Sequence, residues 1–155
     1  MLAKIDKIDR QVITALQRDG RRTLSDLSEE VGLSATPLAR RIARLEREGV
    51  ITGYAARVDA ERLGLDLTAF ILVELETQTR PALDRFEAEL RRFDEVMECH
   101  LMTGSRDILI RAVAADLKAF DRFLEEGLMQ VGNIRSMRSS FALRTMIRKD
   151  ELPLG

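Results

Sequence analysis

The sequence has little of the chemistry on which disulfide-bonded domains and metalloproteins depend. Its 155 residues include one cysteine, Cys99, one histidine, His100, and no tryptophan. A single cysteine cannot form an intrachain disulfide, and one cysteine with one histidine cannot supply the four ligands of a structural zinc site. We therefore expect no disulfide framework, no metal site and no bound cofactor.

Long apolar runs are also missing. No run approaches the roughly 18 residues that cross a bilayer, and residues 1–17 alternate charge with Ile and Val rather than resembling a secretion signal. With 45% hydrophobic and 33% charged residues, the composition suits one or two folded domains. We expect a soluble, cytoplasmic protein with no membrane partner.

The first 50 residues have the pattern of three short amphipathic helices. The expected boundaries are Asp6 to Gly20, Thr23 or Ser25 to Gly32, and Ser34 to Gly49. Pro37 falls in the first turn of the third helix, where its missing N–H group costs nothing. The two-residue turn Gly32-Leu33 between the second and third helices predicts a helix-turn-helix, whose second helix can enter the DNA major groove.

The third predicted helix is rich in arginine. Between Ser34 and Arg47 the sequence has four arginines and one acidic residue, Glu46. If the apolar residues of this helix face the core, the helical spacing turns Thr36, Arg40, Arg44 and Arg47 outward, with Arg41 beside them. Arginine pairs well with guanine and with phosphate. The alternative is a charged helix face that is only solvated.

We accordingly predict a DNA interface on this helix. Thr36 and Arg40 are assigned to base edges, because the start of the helix meets the bases first. Arg41, Arg44 and Arg47 are assigned to phosphates. Ser34, Ala35 and Pro37 complete the helix start that approaches double-stranded DNA.

The remaining sequence predicts a βαββαβ order, which is the ferredoxin-like arrangement. The expected strands are 67–76, 96–102, 108–114 and 135–143, and the expected helices are 81–93 and 116–127. Residues 50–58 have β character and lead into a polar bridge. We therefore predict an α+β protein: a three-helix winged helix-turn-helix domain at 1–50, a β-strand linker at 51–64, and a ferredoxin-like βαββαβ domain at 65–155.

The first strand of this second domain is apolar on both faces. Phe70 and Leu72 lie on one face, and Ile71 and Val73 lie on the other. Two helices can cover only one face of the sheet, so we expect the open face to pack against a second copy of the chain.

An enzyme is the main alternative class. Cys99 and His100 are adjacent on a predicted strand, so their side chains point to opposite faces and cannot form a nucleophile–base pair. The sequence also has no phosphate-binding glycine loop and no HExxH motif. We therefore predict no catalytic residues, and we expect Cys99 to be a small buried residue and His100 to be packed or at an interface.

Two groups of segments resemble the Lrp/AsnC family of transcription regulators, and the resemblance covers essentially the full length. The first group is Ile8-Asp9-Arg10 to Leu16, Gly20-Arg21, 31–37, Arg40-Arg41-Ile42, Leu45-Glu46, 49–51 and Gly53-Tyr54. The second group is Glu98-Cys99, 103–107 and 138–143. The resemblance implies dimers that assemble further, for example into octamers. It also implies small effectors, usually amino acids, bound between sensing domains.

The resemblance further implies that a Thr-Gly-x-x-Asp loop lines the effector cleft. In this sequence the implied effector-binding residues are Met102, Thr103, Gly104, Arg106 and Asp107, with Ser139 or Ser140 nearby. Asp107 would accept a hydrogen bond from the effector's ammonium group. The alternative is that residues 104–107 are only a β-hairpin turn.

One position departs from the family pattern. Arg106 and Ile108 flank the loop aspartate, where family members commonly have an aromatic residue. Arg106 would either favour a more acidic effector or pair with Asp107 and leave no amino-acid site. We expect the usual hydrophobic amino acids to bind weakly or not at all.

Overall fold

A computed structural model of the protein describes residues 4–104 and 106–154; Ser105, part of the quoted loop motif, lies outside the described residues. The chain forms two compact units. The first contains the described part of residues 1–57 together with the C-terminal segment from 146 onward, and the second contains the described part of residues 58–145. No helix among the described residues is both long and apolar enough to span a membrane.

The first unit contains the three helices that the sequence predicts. They are α1 (Lys7–Arg18), α2 (Leu24–Val31) and α3 (Ala35–Arg47). Reciprocal side-chain and backbone hydrogen bonds cap α1 through Asp6 and Asp9, and cap α2 through Thr23 and Asp26. Gly32 ends α2 in the left-handed conformation at φ 68°, which allows the tight turn into α3.

The apolar faces of these helices form one small core. Val12, Ala15, Leu27, Leu38 and Leu45 are all buried in it. Because Leu38 and Leu45 face this core, the orientation of α3 is fixed by its own apolar stripe. The helix-turn-helix expectation is therefore confirmed at the level of the fold.

Gly20 has a different role from the one its position predicts. The sequence predicts that Gly20 ends α1 in the left-handed conformation. However, Gly20 is not one of the described glycines that have a positive φ. A Cβ atom at Gly20 would lie 3.1 Å from Cδ1 of Tyr54. The glycine therefore allows the Tyr54 ring to approach the α1–α2 turn, and the Tyr54 hydroxyl reaches Oε1 of Glu46 on α3 at 3.0 Å.

The predicted linker strand does not form within this chain. Residues 52–58 have no hydrogen-bonded strand partner among the described residues, and a single turn of 3₁₀ helix follows at Glu61–Leu63. The residue types favour extended backbone, but a strand also needs a neighbouring ladder. The β propensity of this segment was therefore not sufficient to predict a strand.

The second unit has the predicted βαββαβ order. Its elements are β1 (Leu67–Leu75), α4 (Arg80–Leu90), β2 (Val96–Leu101), β3 (Ile108–Ala114), α5 (Leu117–Arg122) and β4 (Ile134–Phe141). The strands form an antiparallel sheet in the order β2-β3-β1-β4. The ferredoxin-like expectation is confirmed. The second helix is shorter than predicted, because Phe123–Gly127 continues as a π-helical turn and Leu128–Gln130 as a 3₁₀ turn.

The two faces of this sheet differ. Ala69, Ile71 and Val73 of β1 are fully buried against the helices, together with Phe86 of α4 and Phe120 of α5. On the other face of β1, Phe70 is 38% exposed and Leu72 is partly exposed. The prediction that both helices cover the same face is therefore confirmed.

The C-terminal segment from residue 146 onward packs within the first unit. Gln17 of α1 donates a hydrogen bond from Nε2 to the Leu152 carbonyl oxygen at 3.3 Å and accepts one from the Leu152 N–H group at 2.7 Å. Arg57 forms an ion pair with Asp150 at 3.5 Å. These contacts could not be predicted, because residues 146–154 have no periodic pattern of their own.

Candidate DNA interface and effector loop

The start of α3 is accessible to solvent. Ser34, Ala35, Thr36 and Pro37 are all exposed. Ser34 occupies the predicted N-cap position, but its side chain makes no capping hydrogen bond. Its hydroxyl group and the first N–H groups of the helix are therefore available to an external acceptor such as a phosphate oxygen.

Two of the four arginines of α3 are exposed, as predicted. Arg40 and Arg47 both lie on the solvent side of the helix. Among the described residues, no ion pair involves either guanidinium group. These two side chains retain the charge and geometry that a DNA contact needs.

The other two arginines turn toward α1 instead. Arg41 donates from Nη1 to Oδ1 of Asp9 at 2.8 Å and to Oδ2 of Asp6 at 2.6 Å. Arg44 donates from Nη2 to Oδ2 of Asp9 at 2.5 Å. The predicted outward position of Arg44 is wrong, because a buried carboxylate on the neighbouring helix binds its guanidinium group.

Asp9 is the centre of this cluster and is fully buried. Burial alone would raise the pKa of its carboxyl group, but the hydrogen bond from the Asp6 N–H group and those from Arg44 and Arg41 outweigh burial and lower that pKa to about 2. Hydrogen bonds to the aspartates raise the pKa of both arginines. The cluster therefore stays ionised at neutral pH and fixes α3 to the start of α1.

The candidate effector loop connects β2 to β3. Met102, Thr103 and Gly104 are exposed, whereas Arg106 and Asp107 are partly buried. The Met102 N–H group donates to the Asp107 carbonyl oxygen at 2.7 Å, which closes the loop. Gly104 has a φ of 120°, a conformation that L side chains rarely adopt, so glycine is needed at this point of the loop.

The Asp107 carboxylate already has partners in the second unit. Its Oδ2 accepts from the Leu75 N–H group at 2.7 Å, and its Oδ1 accepts from Nε2 of Gln78 at 2.7 Å. The side chain therefore fixes the loop to the end of β1. A carboxylate has about four acceptor sites, so these two bonds leave capacity for an ammonium group.

Arg106 does not pair with Asp107, which excludes one of the two alternatives drawn from the sequence. Its Nη1 donates to Oε2 of Glu74 at 2.6 Å and to Oγ of Ser136 at 3.2 Å. Arg135 reaches the other oxygen of Glu74 at 3.3 Å. One carboxylate is therefore shared by two arginines, and this group carries a net positive charge.

The two serines implied by the resemblance do not lie beside the loop. In the sheet register Ser139 is opposite Ile71 and Ser140 is opposite Phe70, whereas the loop meets β1 at Val73. Ser136 is the serine that contacts Arg106. Sequence reasoning missed Ser136 and Glu74, although a lone glutamate within an apolar strand is a signal of a polar site.

Cys99 and His100 point to opposite faces, as predicted, since Cys99 is opposite Ile110 and His100 is opposite Leu109 in the register. Both are exposed, so the expectation of a buried cysteine is wrong. β2 is an edge strand of the described sheet, so its side chains have a neighbouring strand on one side only. His100 lies 3.3 Å from Glu98.

Comparisons with known proteins agree with this arrangement. Residues 68–152 match the family model of the Lrp/AsnC ligand binding domain, and residues 5–52 match the winged helix-turn-helix DNA-binding model. The chain belongs to the Lrp/AsnC family. It is 41% identical to the Bkd operon transcriptional regulator of Pseudomonas aeruginosa over 153 residues, which cover 99% of this chain and 100% of that protein.

Solved structures of this family superpose well on the chain. A transcriptional regulator from Neisseria meningitidis in complex with L-methionine has a TM-score of 0.90 and 35% identity, covering 97% of both chains. A feast or famine regulatory protein from Mycobacterium tuberculosis, complexed with L-methionine, has a TM-score of 0.85 and 31% identity, covering 96% of this chain and 99% of that one.

The Lrp/AsnC membership establishes the class of protein. This chain is a DNA-binding transcription regulator with a ligand-binding domain. The relatives are named as transcription regulators and not as enzymes, so the prediction of a non-catalytic protein is confirmed.

Proposed function

We propose that this Lrp/AsnC regulator binds double-stranded DNA through the exposed start and outer side of α3. Ser34, Ala35, Thr36 and Pro37 approach the major groove, Arg40 reads base edges, and Arg47 binds phosphate. The observation that carries this assignment is the exposure of these residues on a helix whose opposite side is buried. Arg41 and Arg44 are left out, because Asp9 holds them.

Fluorescence anisotropy with duplex DNA from upstream of the protein's own gene tests this interface. Arg40→Ala should weaken specific binding by about 1–3 kcal/mol, which is the typical discrimination of a bidentate base contact. Arg62→Ala is the matched control, because Arg62 is an exposed arginine of the second unit. Equal affinity of wild-type protein and Arg40→Ala for the specific site would contradict the assignment.

The β2–β3 loop is the proposed effector site. Met102, Thr103 and Gly104 are exposed there, and Asp107 retains acceptor capacity for an ammonium group. Glu74 is shared by Arg106 and Arg135, so the surplus positive charge favours a carboxylate. These features suit a small amino acid or a related metabolite, and Arg106 favours an effector more acidic than leucine or methionine.

A thermal-shift screen of the twenty amino acids and common 2-oxo acids tests this site. A ligand that binds only the folded state stabilises it, by about 2.7 kcal/mol at a concentration 100 times the Kd. We expect acidic compounds to raise the Tm more than leucine does, and Arg106→Gln to abolish the difference. A larger stabilisation by leucine than by any acidic compound would contradict the proposed preference.

The open face of the sheet supports a homodimer. Phe70 and Leu72 lie on this face without cover from the helices of their own unit. Burying this face against a second copy would remove apolar area from water, and two copies would present two α3 helices to DNA. We propose that such dimers assemble further, for example into octamers. We also propose that the protein acts in the cytoplasm, where its DNA target lies.

Sedimentation equilibrium tests the dimer. We expect the wild-type protein to have the mass of a dimer and Leu72→Asp to have a mass closer to that of a monomer, because the introduced charge would be buried at the interface. Glu89→Ala, on the outer side of α4, is the control that should leave the mass unchanged. An unchanged mass for Leu72→Asp would place the interface elsewhere.

A further inference from the structure

We propose that Asp9 limits the positive charge that α3 presents to DNA by holding Arg41 and Arg44 away from the phosphates. The exposed residues of α3 then determine which DNA sequence is bound. Asp9 is thus a positioning residue for specificity and not a DNA contact. This inference rests on the proposed DNA interface and adds the role of a residue on a different helix.

The geometry of the Asp9 cluster supports this role. Asp9 is fully buried, and each of its carboxylate oxygens accepts from a different arginine of α3, at 2.8 Å for Arg41 and 2.5 Å for Arg44. Oδ2 of Asp9 also accepts from the Asp6 N–H group at 3.0 Å. Oδ2 of Asp6 gives Arg41 a second carboxylate at 2.6 Å, and the Lys4 carbonyl oxygen gives Arg44 a further acceptor at 3.4 Å.

The two pairs of arginines on α3 therefore differ in availability. The side chains of Arg41 and Arg44 are only 29% and 30% exposed, whereas Arg40 and Arg47 are exposed residues. If Arg41 and Arg44 both moved to a phosphate, Asp9 would be left buried with its charge unpaired, which is strongly unfavourable. The cluster thus opposes recruitment of these two arginines by any DNA.

This restriction bears on specificity because phosphate contacts carry no sequence information. Each phosphate that a cation neutralises contributes about −0.9 to the slope of log K against log salt and strengthens binding to every sequence. A recognition helix with four free arginines would therefore bind random DNA more tightly, whereas two held arginines reduce that background. The predicted consequence is a better ratio of specific to non-specific affinity.

Single glutamine variants of the four arginines of α3 test the inference in the full-length protein. Fluorescence anisotropy measures binding to a random-sequence duplex across a salt series, which gives the slope of log K against log salt. Arg47→Gln should reduce the magnitude of the slope, by about 0.9 for each phosphate that the variant no longer neutralises. Arg40→Gln should weaken binding to a specific site more than binding to the random duplex, because Arg40 is assigned to base edges. Arg41→Gln and Arg44→Gln should change the slope by much less than Arg47→Gln does. A reduction for Arg44→Gln as large as that for Arg47→Gln would overturn the inference.

Releasing the arginines provides the converse test. Asp9→Asn keeps the size of the side chain and an acceptor for the Asp6 N–H group but removes the charge. It should tighten binding to the random duplex and steepen the slope, and adding Arg44→Gln should reverse part of that gain. Unchanged random-DNA affinity for folded Asp9→Asn would overturn the inference, whereas a merely structural role for Asp9 would weaken binding.

The two proposals fail in distinguishable ways. If wild-type protein shows no affinity for any duplex at low salt, the proposed DNA interface itself is wrong. If wild-type protein binds and Arg47→Gln reduces the salt slope, but Arg44→Gln has an equal effect, only the role of Asp9 is wrong. Should Asp9→Asn not fold, as judged by its thermal unfolding, the four glutamine variants decide alone.

Discussion

Asp9 in the first unit and Glu74 in the second are each shared by two arginines, and these two clusters differ in burial. Asp9, with Arg41 and Arg44, is fully buried in the helical unit. Glu74, with Arg106 and Arg135, lies at the end of a strand in the sheet unit, and its side chain is 32% exposed. The arginines of the first cluster are about 30% exposed, whereas in the second cluster Arg106 is 33% and Arg135 60% exposed.

This difference in burial separates a cluster that fixes structure from one that can exchange partners. Removing one member of a buried ion pair leaves an uncompensated charge away from water, whereas a surface pair contributes little and is screened by salt. We therefore interpret the Asp9 cluster as the support of α3, the helix that we propose binds DNA. We interpret the Glu74 cluster as a group whose arginines can turn to an effector carboxylate.

The largest expected effect comes from deleting the buried carboxylate. Asp9→Ala should lower the free energy of unfolding by about 3 kcal/mol, because two arginines and the Asp6 N–H group lose their acceptor. Urea unfolding followed by circular dichroism measures this loss. Asp26→Ala, which also removes a capping-box aspartate but one that is exposed, is the control and should cost about 1 kcal/mol. Equal losses would show that only helix capping matters.

Acid should remove part of the same stabilisation. The folded pKa of Asp9 is about 2, below the ordinary value of 3.8, so its contribution is complete above the unfolded pKa and is lost as the pH falls through the folded pKa. We expect the difference in unfolding free energy between wild-type protein and Asp9→Asn to shrink by about 2 kcal/mol between pH 5 and pH 2. A difference that does not change with pH would contradict the lowered pKa.

The smallest expected effect on stability belongs to the partly exposed Glu74 cluster. Glu74→Gln should change the free energy of unfolding by less than about 1 kcal/mol, because the side chain is partly solvated. The same variant frees Arg106, so it should strengthen the response to an acidic effector in the thermal-shift assay. A loss of stability comparable to that of Asp9→Ala would remove the distinction between the clusters.

The sequence predicted most of the architecture, because apolar periodicity and capping residues are local signals. Asp6, Thr23 and Pro37 located the helix starts, and alternation of apolar residues located the strands. The predicted linker strand is not formed within this chain, because a strand needs a hydrogen-bonded neighbour. The contacts between the C-terminal segment and α1 could not be predicted, because they join residues 135 positions apart.

The candidate site was predicted less completely than the fold. The exposed start of α3 followed from its helical face, but the orientation of Arg44 depended on a buried aspartate of another helix. At the effector loop, Arg106 was singled out from the sequence, whereas its partner Glu74 was visible only from the strand register and the side-chain contacts. Tertiary ion pairs of this kind leave no periodic signal in a single sequence.

Hydrogen–deuterium exchange of the full-length protein tests most directly whether DNA and effector bind to different units. Exchange is measured for the free protein, with operator DNA and with an effector. We expect DNA to slow exchange in peptides covering residues 34–47. We expect an effector to slow exchange in peptides covering residues 102–107. Protection of residues 102–107 by DNA, with none at residues 34–47, would contradict the account.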